Sequence, residues 1–189
     1  GKTTFFNCIT GIYDPTGGDI MITAPKDGKS KRINGLKPNL VTEKGLARTF
    51  QNIRLFKSMT VLENVQVGMH CRTRSGAVRA LLKTRFEKQE EKNISEKAFE
   101  ILEYIGLKDH LNDYASSLPY GEQRRFEIAR ALATQPEILL LDEPLLGLSP
   151  LMQAMLMRAT LEIRDERKIS IIVTEQYARP VLPIVDYAF

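Results

Sequence analysis

The sequence has no tryptophan, two cysteines (Cys8 and Cys71) and two histidines (His70 and His110). A pair of thiols cannot make a disulfide framework, and no Cys/His cluster has metal-ligand spacing. The fold therefore needs neither staple, and a reducing, cytosolic compartment is indicated. Long apolar runs are missing too: Ile138 to Leu141 and Ile169 to Val173 fall far short of the roughly 18 residues a bilayer span needs. Nor is either charge in large excess. Lys and Arg number 27 against 23 Asp and Glu, a net +4 over 189 residues, which is too weak to name nucleic acid as a partner. The chain opens at Gly1 without an initiator Met or a secretory leader and stops at Phe189 inside an apolar stretch, so it reads as a fragment truncated at both ends.

The length favours one domain with an insertion. Phe5, Phe6, Ile9 and Ile12 recur at helical spacing, which predicts a helix from Thr3 to Ile12, with Gly11 at a left-handed C-cap. After the turn cluster Asp14 to Gly18, Ile20-Met21-Ile22 reads as a short strand and Pro25 to Arg32 as a polar loop. Lys37-Pro38 opens a short helix closed by Gly45, and Leu46 to Phe50 reads as a strand ending at Gln51. Thr60-Val61-Leu62-Glu63 fits a capping box. From there to about Thr134 the pattern is helical: Ala98, Ile101, Leu102 and Ile105 mark a helix that stops at Gly106, and the charge-dense Lys83 to Lys97 reads most simply as a solvated helix face, with contact to anionic lipid or a partner as the alternative. The period then changes. Ile138 to Leu141 reads as a buried strand, and Met152, Met155, Leu156 and Ala159 as the core stripe of a helix. Ile169 to Val173 reads as a second strand. Alternation of this kind predicts an α/β protein whose parallel sheet is covered on both faces. The expected domains are a core, 1–64 with 134–189, and a helical insertion, 65–133.

Three short strings carry chemistry. Gly1-Lys2-Thr3 opening a helix matches the tail of G-x-x-x-x-G-K-[ST], where backbone N–H groups and the helix N-terminus hold phosphates, the Lys reaches the β and γ groups, and the Thr hydroxyl ligates magnesium. Alone the tripeptide is a weak signal, and the bland alternative is a surface Lys at a frayed terminus. In Ile138 to Pro144, Asp142 and Glu143 stand where a buried strand emerges, the edge at which open α/β sheets bind ligands. An Asp there holds magnesium in phosphate-loop NTPases and a neighbouring Glu polarises water, while the bland alternative is a pair of loop acids before Pro144. Finally, Leu118-Pro119-Tyr120-Gly121-Glu122-Gln123-Arg124-Arg125 precedes a helix bearing Phe126, Ile128, Ala131 and Leu132, and Gly121 with the N–H groups at the helix start suits an anion.

In this order the strings resemble the ATP-binding domains of ABC transporters, with Leu118 to Gln123 in place of the signature motif L-S-G-G-Q. The resemblance covers nearly the whole chain. Ala47-Arg48-Thr49-Phe50-Gln51-Asn52-Ile53-Arg54-Leu55-Phe56 is similar to the Q-loop segment of branched-chain amino acid importer ATPases, the LivG type especially. Leu146 to Pro150 and Thr174-Glu175-Gln176 look closer to the sister LivF type. The resemblance implies a P-loop NTPase (RecA-like) parallel-sheet core with an inserted helical subdomain and a small antiparallel β edge. ATP and Mg²⁺ are the implied cofactors. Gly1, Lys2, Thr3 and Thr4 would grip phosphates, with Thr3, Gln51 and Asp142 toward the metal. Glu143 would be the base or water-positioner, assisted by Gln51 and Gln176, and Gly121, Glu122 and Gln123 would close on the ATP of a second subunit.

The implied partners are that second ATP-binding subunit, membrane permease subunits and, indirectly, a solute-binding protein, with no nucleic acid. The implied location is peripheral, on the cytoplasmic face of the membrane. Four positions depart from the family pattern: Pro119 for a Ser, Tyr120 for a Gly, Ser149 for the usual Asp, and Gln176 for the switch His, which removes any cationic role there. A non-transport ABC ATPase acting on nucleic acid or in translation is the alternative, and a domain that binds nucleotide without turnover is a third reading. Cys8 reads as small core filler, and His70 and His110 receive no role. Pro180 and Pro183 require the last family helix to be short or kinked. Without the front of the phosphate loop, the piece by itself is expected to bind ATP poorly.

Overall fold

The computed structural model describes residues 1–23, 28–69 and 85–189. His70, Cys71 and the start of the charged run at Lys83 lie outside them. The chain divides into two compact units, Gly1–Ile53 with Pro136–Phe189, and Arg54–Gln135.

In the first unit, α1 (Lys2–Ile9) buries only Phe6 and Ile9. Phe5 and Ile12 are exposed, and Cys8 is half-buried rather than enclosed. The helix ends three residues earlier than predicted because Gly11 (φ 72°) turns the chain away: a Cβ there would lie 2.2 Å from the Leu36 carbonyl oxygen. β1 (Met21–Thr23) pairs antiparallel with β2 (Ser30–Arg32), so the end of the expected polar loop is a strand. Its residues carry no apolar alternation, which is why the pattern hid it; backbone pairing and a Thr23–Ser30 hydroxyl contact at 2.7 Å hold it. α2 (Pro38–Glu43) starts at a proline and is followed by Gly45 in the left-handed region.

The parallel sheet has the order β3-β4-β5, with β3 (Leu46–Arg48), β4 (Ile138–Asp142) and β5 (Ser170–Thr174). β4 is central, and Leu139, Leu140 and Leu141 are fully buried. β5 is less covered than expected, with Ile172 exposed. α6 (Pro150–Arg167) corrects the predicted stripe: its buried residues are Leu156, Met157, Thr160 and Ile163, while Met155 is exposed. Thr160 is admitted to that face because its hydroxyl donates to the Leu156 carbonyl at 2.8 Å. After β5 the chain makes only a short 3-10 turn at Leu182–Ile184, as Pro180 and Pro183 demand. One apolar cluster, built on Phe6, Ile9, Ile22, Ile33, Val41, Leu46 and Leu140, seats α1 and β4 together.

The second unit is helical. α3 (Val61–Met69), α4 (Arg85–Tyr104) and α5 (Tyr120–Ala133) pack on one another through buried Val61, Val65, Ala98, Leu102 and Phe126. The capping box forms as read: the Thr60 N–H donates to Glu63 Oε2 at 2.7 Å and the Glu63 N–H to Thr60 Oγ1 at 3.2 Å. Phe126, Ile128, Ala131 and Leu132 are all buried. No helix among the described residues is long and apolar enough to cross a membrane.

Candidate active site

β4 runs as a buried strand to Asp142 and then breaks. Glu143 takes φ 48°, a left-handed conformation that costs a non-glycine residue free energy and collects at functional sites. Its N–H donates to the Thr174 carbonyl at 2.9 Å, so the twist is fixed from β5. The carboxylate is only 9% exposed and has three neighbours. Gln51 Nε2 donates to Oε2 at 2.9 Å, Gln176 Nε2 lies 3.1 and 3.3 Å from Oε1 and Oε2, and Lys2 Nζ stands 3.9 Å from Oε1. Lys2 Nζ also donates to the Glu175 carbonyl at 2.7 Å. Three separate elements thus converge on the acidic group at the tip of β4: the start of α1, the segment after β3 and the segment after β5.

Asp142 is held differently. Its Oδ1 accepts from Thr174 Oγ1 at 2.9 Å and its Oδ2 from Arg48 at 2.7 Å. The Glu175 carboxyl is raised above its ordinary pKa, first by burial and then by the Glu143 charge, and its Oε1 accepts from the Leu145 N–H at 2.8 Å. Gly1, Lys2, Thr3 and Thr4 lie exposed in and before the first turn of α1, whose unpaired N–H groups suit a phosphate. Thr3 hydroxyl, Asp142 carboxylate and Gln51 amide are hard oxygen donors of the kind Mg²⁺ takes alongside water and phosphate oxygens. Asp142 uses one lone pair on each oxygen and has capacity for water as well, so the donor set fits that ion.

In the helical unit, Pro119 (φ −54°) is the N-cap residue and the motif itself forms the first turn of α5, rather than preceding the helix as read. Gln123 Nε2 donates to the Leu118 carbonyl at 2.7 Å and Arg124 to the Tyr120 hydroxyl at 2.9 Å. Glu122 lies 3.4 Å from His110 Nε2, and His110 Nδ1 contacts Asp113 at 2.7 Å. The His110 pKa is raised, mainly by that Asp113 bond, with Glu122, Asp113 and Asp109 adding charge.

Sequence reasoning missed Arg48, Thr174 and His110 as neighbours of the motif residues. A lone Arg in an apolar strand is a signal for the first; nothing local marks the other two. Ser149 has its own local task, since its hydroxyl accepts from the Met152 N–H at 3.4 Å at the start of α6.

Residues 1–146 match the family model described as ABC transporter. The chain belongs to the ABC transporter family. It is 42% identical over 98% of its length to the high-affinity branched-chain amino acid transport ATP-binding protein LivG of Escherichia coli strain K12, and spans 71% of that protein. Among solved structures it is similar to the ADP conformation of an ATP-binding cassette of an ABC transporter, at 32% identity, TM-score 0.78, and 98% and 70% coverage of the two chains. It is also similar to a dimeric post-hydrolysis ATP-binding cassette bound to ADP and Pi, at 25% identity, TM-score 0.73, and 95% and 72% coverage. As an ABC family member the chain is an ATP-hydrolysing subunit with the α/β fold expected, and nothing in these comparisons favours the nucleic-acid alternative.

Proposed function

We propose that this ABC ATPase energises uptake of branched-chain or other hydrophobic amino acids, as one of two ATP-binding subunits on the cytoplasmic face of a membrane permease served by a solute-binding protein. The observation that carries the reading is the buried, twisted Glu143 between Gln51 and Gln176 with Lys2 beside it. The amino acid class is drawn from the LivG relative.

The unit Gly1–Ile53 with Pro136–Phe189 serves as the ATP-binding core and Arg54–Gln135 as the helical subdomain. Gly1, Lys2, Thr3 and Thr4 hold the phosphates. Thr3 and Gln51 would hold Mg²⁺ and Asp142 would orient its water shell; the chemistry the ion would supply there is screening of the phosphate charge. Glu143 accepts a hydrogen bond from the attacking water, and the two glutamine amides fix its plane so that one geometry is presented. Gln176 donates as an amide and stays neutral, so no cationic clamp operates there. Gly121, Glu122 and Gln123 meet the ATP of the second subunit, a pairing supported by the dimeric relative. Pro119 supplies no hydroxyl at that turn, which leaves the work to backbone N–H groups.

The test is reconstitution of the intact protein with its permease in vesicles. Magnesium-dependent phosphate release should rise when the solute-binding protein is added with leucine, isoleucine or valine. Stimulation by DNA or RNA instead overturns the reading.

A further inference from the structure

Arg48 is a charged residue inside a buried strand, and its surroundings are as specific as those of Glu143. Its side chain is 5% exposed and that of Asp142 4%. The guanidinium forks. One nitrogen donates to Asp142 Oδ2 at 2.7 Å, and the other to Asn7 Oδ1 at 2.7 Å and Thr10 Oγ1 at 3.2 Å. Its carbon lies 5.4 Å from the centre of the Phe6 ring and 5.1 Å from that of Phe50, and Nε has no hydrogen-bond acceptor among the described residues.

Stability does not account for this arrangement. A buried ion pair generally contributes no more than the apolar residues that could replace it, and an unpartnered buried N–H adds a further cost. Position accounts for it better. One planar group touches α1, which carries Lys2 and Thr3, and the tip of β4, which carries Asp142 and Glu143, and it stands on the strand that leads to Gln51 three residues on. Thr174 and Arg48 bond the two oxygens of Asp142 separately, which removes rotation of the carboxylate.

We propose that Arg48 is a positioning residue for the metal side of the ATP site: its fork sets the orientation of Asp142 and registers that carboxylate against α1. The proposal rests on the reading of Asp142 as the residue that orients the magnesium shell. Lysine cannot substitute, because a single ammonium does not present two coplanar donor edges to Asp142 and Asn7 at once. Arg48 thereby acts on the magnesium-dependent part of nucleotide binding and leaves the phosphate grip of Lys2 and the α1 amides alone.

The experiment titrates the intact protein with a fluorescent ATP analogue in EDTA and in graded Mg²⁺, with thermal melting of each variant alongside. For Arg48→Met the Mg²⁺ concentration giving half the affinity gain should rise about tenfold or more, as for other partners of metal-orienting ligands, while affinity in EDTA stays within about twofold. Arg48→Lys should recover only part of the loss. Asn7→Ala, which loosens the fork without touching Asp142, should shift Mg²⁺ dependence the same way by less, and it carries the test if Arg48→Met does not fold. Equal loss in EDTA and Mg²⁺ means a structural role only and overturns the proposal. Unchanged Mg²⁺ dependence in the folded Arg48 or Asn7 variant, with Asp142→Asn shifted, overturns it and leaves the reading of Asp142 standing. If Asp142→Asn is also unshifted, that reading falls and the proposal with it.

Discussion

The tip of β4 and the first turn of α5 both carry residues assigned to ATP, yet they are built in opposite ways. At β4, side chains from α1, from β3 and the segment after it, and from β5 and the segment after it are drawn onto Asp142 and Glu143, and a non-glycine residue is held at φ 48° to place the carboxylate. At α5, the residues are neighbours in the chain, and Gln123 and Arg124 hydrogen-bond back to Leu118 and Tyr120 of the same turn. The first site exists only in the folded unit, where each bond depends on distant partners. The second is mainly a local helix start set by Pro119 and the turn after it, with His110 against Glu122 from outside that turn. Substitutions at β4 are therefore expected to alter chemistry within one subunit, and those at α5 to alter what happens between subunits.

The largest effect expected is that of Glu143→Gln. Turnover should fall by about 10²- to 10⁴-fold, the range for a positioned general base, while nucleotide affinity is kept, because the amide preserves shape but loses the charge and turns one acceptor oxygen into a donor. Phosphate release and nucleotide titration measured together check this, and undiminished turnover removes Glu143 from the mechanism. Gly121→Asp sharpens the contrast. A carboxylate near a helix N-terminus does not harm the helix, so the melting temperature should hold. The same charge facing a phosphate should cut turnover of the assembled transporter by about a hundredfold without changing nucleotide binding by single subunits. Weakened binding by single subunits would show that the two regions are not separable in this way.

The smallest effect concerns His110. Its folded pKa lies above 6.5, so the stability its protonation adds is fully present below about pH 6.5 and is lost as pH rises through the folded value. Melting curves of the natural protein and His110→Gln should therefore differ modestly at pH 5.5 and converge at pH 8.5. A constant gap across that range excludes the charge effect.

Features that depend on near neighbours were legible before folding. The Thr60–Glu63 capping box, the glycine after α1, the buried run Leu139 to Leu141 and each of the three motifs by itself rest on residues a few positions apart. The departures have physical causes of their own. β2 is polar on every residue, so only its backbone pairing reveals it. The α6 stripe is offset because a threonine can join a buried face by bonding its own helix, which a hydrophobic count does not anticipate. Arg48 stood out only as a lone charge in an apolar strand; its partner lies 94 residues away, and no local pattern links them.

Chain order and local chemistry settle the α/β class, the start of the phosphate helix, the acidic strand end and the glycine turn, because a helix cap, a buried strand and a motif are written in consecutive residues. Which lysine faces which glutamate, which amides flank it, and which arginine grips the aspartate beside it emerge only on folding. Hydrogen bonds and ion pairs act over about 3 Å, and it is packing of α1, β3 and β4 around one apolar cluster, with β5 paired alongside β4, that brings such groups within that reach.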